Sequence, residues 1–417
     1  MSESNYKVQR KLWENPWGYV ESFFMGFGLI VTGFFLEVFV TSSNTLTLSY
    51  PYNVVFLASY VLILFVLYKW FSTTQLISWL TKVPASISSI SLVTMMVMIM
   101  GIIPQVPSEN NIINNLGLNH ITSNWAFLLI IFQFLTCLGL ISIKRILQFK
   151  WSNFGFILNH TGLFIALIAG ILGTGDLERL SINVYEGKPS WIATDAQENE
   201  IELPFALYLK DFLIDEYNPK LALVDNKTGS IAHNDGKNLY LVEKGETYYF
   251  KNFEVSINDF LPNSGRVGSR YEPVNEIGSP PSASISVKNI ENDSIQTGWI
   301  SSGSFRYPYE SFKISEEYSV VMTIPEVKKF SSEIDILTKD GERISTILEV
   351  NKPFSYKGWE IYQLSYDDKM GKWSNLSVLE LVKDPWLPLI YTGIFMMIAG
   401  AFYMFWMGNK ITKNQLK

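Results

Sequence analysis

The sequence predicts an integral membrane α-helical protein of about six transmembrane helices, with a large extracytoplasmic all-β domain inserted before the last helix. Three observations predict it. Apolar residues gather in long blocks toward both ends of the chain, around a polar centre. Lys and Arg flank the blocks on alternate sides only. The centre alternates polar and apolar residues with the period of two that a half-buried strand requires.

Six segments are long and apolar enough to span a bilayer: Trp17–Val40, Pro51–Trp70, Ser86–Ile103, Trp125–Ile141, Phe154–Thr174 and Trp386–Trp406. Lys7, Arg10 and Lys11 precede the first, as in a secretory signal. That run is too long for a signal core and has no small-residue cleavage site after it, so it reads as an uncleaved anchor. Serines crowd the start of the third segment, but Ser91–Ile103 is apolar enough to insert.

Charge tests the count. Lys69, Lys82, Lys144, Arg145, Lys150, Lys410, Lys413 and Lys417 join the three N-terminal cations on one side, while Thr41–Tyr50 and Gln105–Asn124 hold no Lys or Arg. Six crossings with both termini in the cytoplasm satisfy the positive-inside bias, and Lys383 falls at the end of a long domain, where the bias has little force. Residues 177–384 are then expected outside the cytoplasm.

Between the first pair of helices and the third lies 71–84, of mixed polarity. It reads either as an interfacial helix with Trp79 at headgroup level or as a plain connector. Within the outer domain, alternation is clear in Ala283–Val287, Glu333–Ile336 and Arg343–Thr346. Asp340-Gly341 makes a hairpin turn between the last two, and Pro262–Gly265 another turn. One or two antiparallel sheets are expected, a sandwich among the options, with Asp225–Lys237 as a polar, mobile loop. No internal repeat stands out. The divisions are 1–83, an N-terminal two-helix extension; 84–176, a three-helix membrane core; 177–384, the β-rich domain; and 385–417, the final helix and tail.

Composition excludes several functions. Net charge is −6 without a long basic run, which argues against nucleic acid. Cys137 is the only cysteine, so the chain has no internal disulfide, no CxxC and no CxxCH. No phosphate loop, nucleophile–base pair or zinc-hydrolase signature is present, and no catalytic residue is assigned.

The residue that stands apart is His160. It sits ~10 Å along the fifth segment from Asn153, at ~1.5 Å rise per residue. An ionisable ring at that depth faces protein, a cavity or a ligand. It is either a ligand, imidazole being a strong axial donor to haem iron, or a structural histidine bonded to a neighbouring helix. Gly162, Ala166, Ala169 and Gly173 lie roughly opposite it and would admit a close helix. The other two histidines, His120 and His233, fall in an outer loop and in the domain's polar loop. A second axial ligand at the depth of His160 would therefore come from another chain, from water or from a different residue type. Glu21 and Glu37, near the two ends of the first helix, are expected to snorkel toward headgroups. Gln133 and Cys137 are expected to mediate helix packing.

Several motifs in order resemble the ResB (CcsB) family of cytochrome c biogenesis proteins. Gly101-Ile-Ile-Pro104-Gln105 is similar to the end of the family's first helix, and His160-Thr-Gly162 to the helix preceding its outer domain. Asn351-Lys-Pro353 through Gly358 to Tyr362-Gln363 resembles the family's N-x-P, G and Y-Q stretch near the domain's end, and Asp384-Pro385 opens a final helix with Pro388, Gly393 and Gly400, as the family's does. The resemblance spans about residues 84–410, leaving the first two helices outside it, and the partner's tryptophan-rich WWD segment is absent.

The resemblance implies a membrane subunit of a system II haem lyase, located in the bacterial cytoplasmic (inner) membrane. It would help carry haem across the membrane and present it for covalent attachment to apocytochrome c. It implies His160 as an axial ligand of haem iron, with haem b shared with a CcsA (ResC) partner. The implied partners are that haem-handling protein, apocytochrome c and thiol-reducing proteins, and the chain itself would be a non-catalytic or co-catalytic subunit. Two further readings stay open: a scaffold whose β domain docks apocytochrome or the partner without touching haem, and, ranked lower, a transporter permease subunit.

Overall fold

The computed structural model describes residues 12–40, 48–233 and 237–415, with side chains up to Met407 in the last helix. The cations before Leu12, residues 41–47 and residues 234–236 lie outside the described residues. The chain divides into two compact units, Met1–Leu177 with Asp384–Lys417, and Glu178–Lys383.

The first unit is helical: α1 (Tyr19–Phe39), α2 (Tyr52–Phe71), α3 (Gln75–Leu80), α4 (Val83–Ile102), α5 (Asn111–Asn115), α6 (Trp125–Leu147), α7 (Phe154–Leu172) and α8 (Leu387–Gln415). Six of these, all but α3 and α5, are long and apolar enough to cross a membrane. The most apolar, α6, is also the most enclosed, and it touches α1, α2, α4 and α7. Its only charges, Lys144 and Arg145, stand in its last turn, where cations favour the helix dipole.

Glycine decides how α7 meets α8. A Cβ on Gly162 would stand 2.5 Å from the Gly393 carbonyl oxygen, and one on Gly400 2.7 Å from that of Gly155. Ala166 also packs on Gly393, while Gly173 takes the Trp386 ring. The small-residue face is a backbone-to-backbone contact, which only side chains of this size allow.

The connector 71–84 does contain a short helix, α3, in which Trp79 is buried against protein at 3% exposure. Its indole Nε1 donates to Ser22 Oγ at 2.8 Å, and its ring meets Trp17 edge-on. A buried tryptophan needs an acceptor for its N–H, and Ser22 supplies it.

Neither glutamate of α1 snorkels. Glu21 is buried and takes the backbone N–H of Gly18 (2.8 Å) and Trp13 (3.4 Å), the reciprocal half of a capping box. Glu37, also buried, takes the N–H of Trp125 and Nε2–H of His120, both at 3.0 Å. It thereby satisfies an orphan donor at the start of α6. Gln105 holds the same end of the helical unit together: its amide donates to the carbonyls of Ile103 and Leu118, and its oxygen takes Ile121 N–H.

The second unit is built of strands: β1 (Glu178–Tyr185), β2 (Pro189–Thr194), β3 (Glu200–Glu216), β4 (Lys220–Asp225), β5 (Leu239–Leu241), β6 (Thr247–Phe250), β7 (Phe253–Leu261), β8 (Ser264–Val267) and β9 (Arg270–Pro273). These are followed by β10 (Ser282–Asn289), β11 (Ile295–Ser301), β12 (Phe312–Lys313), β13 (Tyr318–Met322), β14 (Val327–Thr338), β15 (Arg343–Glu349), β16 (Phe354–Tyr356), β17 (Trp359–Tyr366) and β18 (Leu376–Lys383).

One or two sheets were expected; four are found among the described residues. An eight-stranded antiparallel sheet runs β15-β14-β3-β2-β1-β18-β17-β16. The chain leaves it after β3 and returns at β14, where Tyr217 N–H meets Glu326 O at 2.8 Å and Glu216 pairs with Val327. The excursion between these points forms two four-stranded sheets, β11-β10-β7-β6 and β12-β13-β4-β5, with the small β8–β9 hairpin. Leu221 and Leu223 of one meet Val255, Ile257, Ile285 and Val287 of the other in a common core, a sandwich inserted into the larger sheet.

The Asp340-Gly341 turn joins β14 to β15, with Gly341 at φ +82°. Asp225 starts a tight turn, taking the N–H of Lys227 and Thr228, and Asn226 is tied to the carbonyls of Ser315 and Glu316. The polar loop is thus hydrogen-bonded over its first half, and residues 234–236 of it lie outside the described residues.

Candidate functional site

His160 lies near the middle of α7, on the side away from Gly162 and α8. Its Nδ1 is 3.1 Å from the Phe156 carbonyl oxygen one turn earlier. A carbonyl only accepts, so Nδ1 carries the proton and the lone pair sits on Nε2. Among the described residues Nε2 has no hydrogen-bond partner. The Phe156 ring stacks on the imidazole, centroids 3.6 Å apart and planes at 20°.

The ring opens onto a groove of about 490 Å³ between three helices. Val83, Ser86, Ile87 and Ile90 form one wall from α4; Phe134, Leu138 and Ile141 form another from α6; Phe156, His160 and Leu163 form the third from α7. Each set follows helical spacing, so three amphipathic stripes that face one another make the cavity. Its size and apolar lining with few polar groups suit a small molecule or cofactor. Lys82, Lys144 and Arg145 close one end.

Neither of the other histidines lines this groove. His120 is engaged by Glu37 near the C-terminal end of α1, and His233 is exposed in the β unit. Cys137 and Gln133 are buried on α6, and both polar atoms of Gln133 lack a hydrogen-bond partner. Among the described residues no three His, Cys, Asp or Glu side chains gather as a metal cluster. A metal at His160 would therefore arrive inside a cofactor that supplies most of its own ligands.

Sequence reasoning missed Phe156 and the three cations as parts of this site. An aromatic residue at i−4 from His160 was the available signal for the first, because residues four apart on a helix overlie one another. The cations were visible only as topology markers, since their convergence depends on how α4, α6 and α7 pack.

In the β unit, the residues of the Asn351–Gln363 stretch form β16, a turn and β17. Asn351, Lys357 and Gly358 all have positive φ, at +63°, +45° and +85°. Gln363 is buried and takes Ser332 Oγ–H at 2.5 Å, while its amide donates to Ser377 Oγ at 3.1 Å and to the Ser365 carbonyl at 3.1 Å. Ser332 belongs to β14, which stands four strands away from β18 in the sheet order, so these bonds close the curled sheet across its interior. Residues 284–375, which run from β10 to the residue before β18, match the ResB-like family. No curated relative matches the chain.

Proposed function

We propose, for a chain that is ResB-like across residues 284–375, that it is the subunit of a cytochrome c haem lyase that holds haem within the membrane, with His160 as one axial ligand. The family supports a role in cytochrome c biogenesis, and six apolar helices support a multi-pass membrane protein. The observation that carries the finer reading is the free Nε2 of His160, fixed in tautomer by the Phe156 carbonyl and lining an apolar groove.

The residues present suit haem. The ligand nitrogen is a neutral imidazole whose other nitrogen is hydrogen-bonded, the arrangement that orients and strengthens a metal-binding histidine. When bound, haem would supply an iron whose redox state responds to its axial ligands and their surroundings. The chain's own part is to hold and orient: Phe156 limits rotation of the imidazole, the α4 and α6 walls exclude water, and α8 fixes α7 from behind. The second axial position would be filled by a histidine of a CcsA (ResC)-type partner, since no other histidine of this chain lines the groove. Apocytochrome c, with thiols kept reduced by other proteins, would receive the haem outside.

The test is His160→Ala in the purified complex. Loss of haem or a shifted visible spectrum, restored in part by added imidazole, is expected. Unchanged haem content and spectrum would remove the ligand role.

A second reading is favoured by a separate observation. The matched residues contribute most of a groove of about 340 Å³ in the β unit, lined by Pro280, Pro281, Tyr307, Pro308, Tyr309 and Trp373. Proline and aromatic walls suit an extended peptide, so this domain could dock apocytochrome as a scaffold. Crosslinking of apocytochrome to the β unit, with haem loading indifferent to His160, would favour that reading over the first.

A further inference from the structure

The groove beside His160 changes chemistry along its length. From Phe134 to Arg145 its α6 wall rises ~16 Å at 1.5 Å per residue. Phe134, Leu138 and Ile141 are apolar, and Lys144 and Arg145 come last, joined by Lys82 from the start of α4. Among the described residues, none of these three cations has an ion-pair partner. Lysines and arginines at helix ends ordinarily extend to lipid headgroups. Arg145 does not: its guanidinium carbon lies 5.2 Å from the centre of the Phe156 ring, and its Nε is buried without a hydrogen-bond partner. Phe156 thus carries the guanidinium on its ring and stacks against His160 as well. A buried donor left unsatisfied is costly, and an anion in the groove would relieve it.

We propose that Lys82, Lys144 and Arg145 form a carboxylate clasp at one end of the His160 groove, so that the groove takes a ligand with an apolar body and carboxylates along one edge. The clasp deepens the haem reading above and rests on it: the carboxylates are the haem propionates, and the cations set which edge of the macrocycle faces them. His160 would then hold the iron while Lys82, Lys144 and Arg145 would hold the carboxylate edge. An anionic lipid also places a negative group beside an apolar body, and the experiment separates the two sources.

The full chain, copurified with its haem-handling partner and stripped of haem, would be titrated with haem and with haem dimethyl ester, which keeps the iron but lacks the charges. Binding of the ester is expected to be about tenfold weaker, as loss of a charge-assisted hydrogen bond implies. Arg145→Gln and the double variant Lys82→Gln/Lys144→Gln should weaken haem by a similar factor, leave ester binding unchanged and preserve the axial-ligand absorption bands. Unchanged ester binding also shows that the variants are folded. Equal binding of haem and ester by the unmodified protein, or a full preference for haem retained in the Gln variants, overturns the clasp. So does loss of retained anionic lipid from nanodiscs in those variants with haem affinity intact, which makes the cations a headgroup site. His160→Ala separates the two levels. If it leaves spectrum and affinity unchanged, the ligand reading falls whatever the ester shows; if it alters them while the Gln variants do not, only the clasp falls.

Discussion

The Trp386 indole donates its Nε1–H to Asp176 Oδ2 at 2.7 Å. The same carboxyl takes the backbone N–H of Tyr50 at 2.6 Å and the Asn53 amide at 2.7 Å. One side chain thus joins the end of α7, the start of α2 and the start of α8. Burial pushes the Asp176 carboxyl up, but the three donors, Asn53, Tyr50 and Trp386, outweigh it and hold the group below its ordinary range.

Asp176→Ala should destabilise the helical unit by about 1–3 kcal/mol, because three donors lose their acceptor. Trp386→Phe, which removes one bond and keeps the ring over Gly173, should cost about 1 kcal/mol. Thermal unfolding in detergent would check both; equal effects would show that ring packing, rather than the carboxyl, holds this corner.

At the proposed ligand site, Phe156→Ala keeps the backbone carbonyl and so keeps the His160 tautomer. Haem retention should fall less than in His160→Ala, with the absorption bands of the axial ligand preserved. A full loss of those bands in Phe156→Ala would show that the ring, and not the carbonyl, orients the imidazole.

Glycines of α7 offer a controlled pair. Gly162→Val must displace the Gly393 backbone, whereas Gly170 has open space where a Cβ would go. Gly162→Val should lower the unfolding temperature of the purified protein clearly, by about 2–3 kcal/mol in stability as for overpacked cores. Gly170→Ala should be neutral or slightly stabilising through its better helix propensity. Similar behaviour of the two would discount close α7–α8 contact.

In the β unit, Asp335 is buried on the face of β14 opposite Ile334 and Ile336. Ser345 Oγ donates to it at 2.5 Å, Arg343 forms a close ion pair, and Lys210 Nζ stands 3.4 Å away. Burial raises its pKa, but these partners prevail and leave it lowered. A carboxyl whose folded pKa is depressed contributes stability above its unfolded pKa of about 3.9, and that contribution is lost as pH falls through the folded value. The unmodified protein should therefore lose β-unit stability below about pH 4, and Asp335→Asn should be less stable at neutral pH but flatter across that range. Denaturant titrations followed by circular dichroism would show it. Parallel pH curves for both proteins would assign the acid sensitivity to other groups.

Much of this fold is legible in the chain because a bilayer imposes a demand that composition alone can meet. Six apolar runs suffice to list the helices long enough to cross a membrane, and His160 announces itself by being ionisable inside one. Glu37 shows where such reasoning stops. Taken on its own helix, a glutamate near the end is expected to reach for headgroups; only the approach of Trp125 N–H from α6 shows that it has a better partner inside. The inserted sandwich was hidden for a related reason. Alternation in Ala283–Val287 and in Glu333–Ile336 looks alike, yet the first belongs to a four-stranded sheet and the second to the eight-stranded one. Period identifies a strand, while sheet membership depends on long-range pairing such as Glu216 with Val327. Arg145 and Lys82 were read by sign and not by direction, so their meeting at the groove was out of reach.

The glycine seam between α7 and α8 has a consequence for aim. A helix in lipid can spin about its own axis, and a side-chain tip ~6 Å from that axis sweeps ~2 Å for every 20° of turn. With Gly162 seated on Gly393 and Gly155 on Gly400, the backbone of α7 touches a second backbone at two heights, which leaves it little freedom to turn. The bearing of His160 is therefore set from the far side of its own helix, by residues that carry no chemistry. Glycine, the residue with no side chain to point, is what makes the imidazole point in one direction.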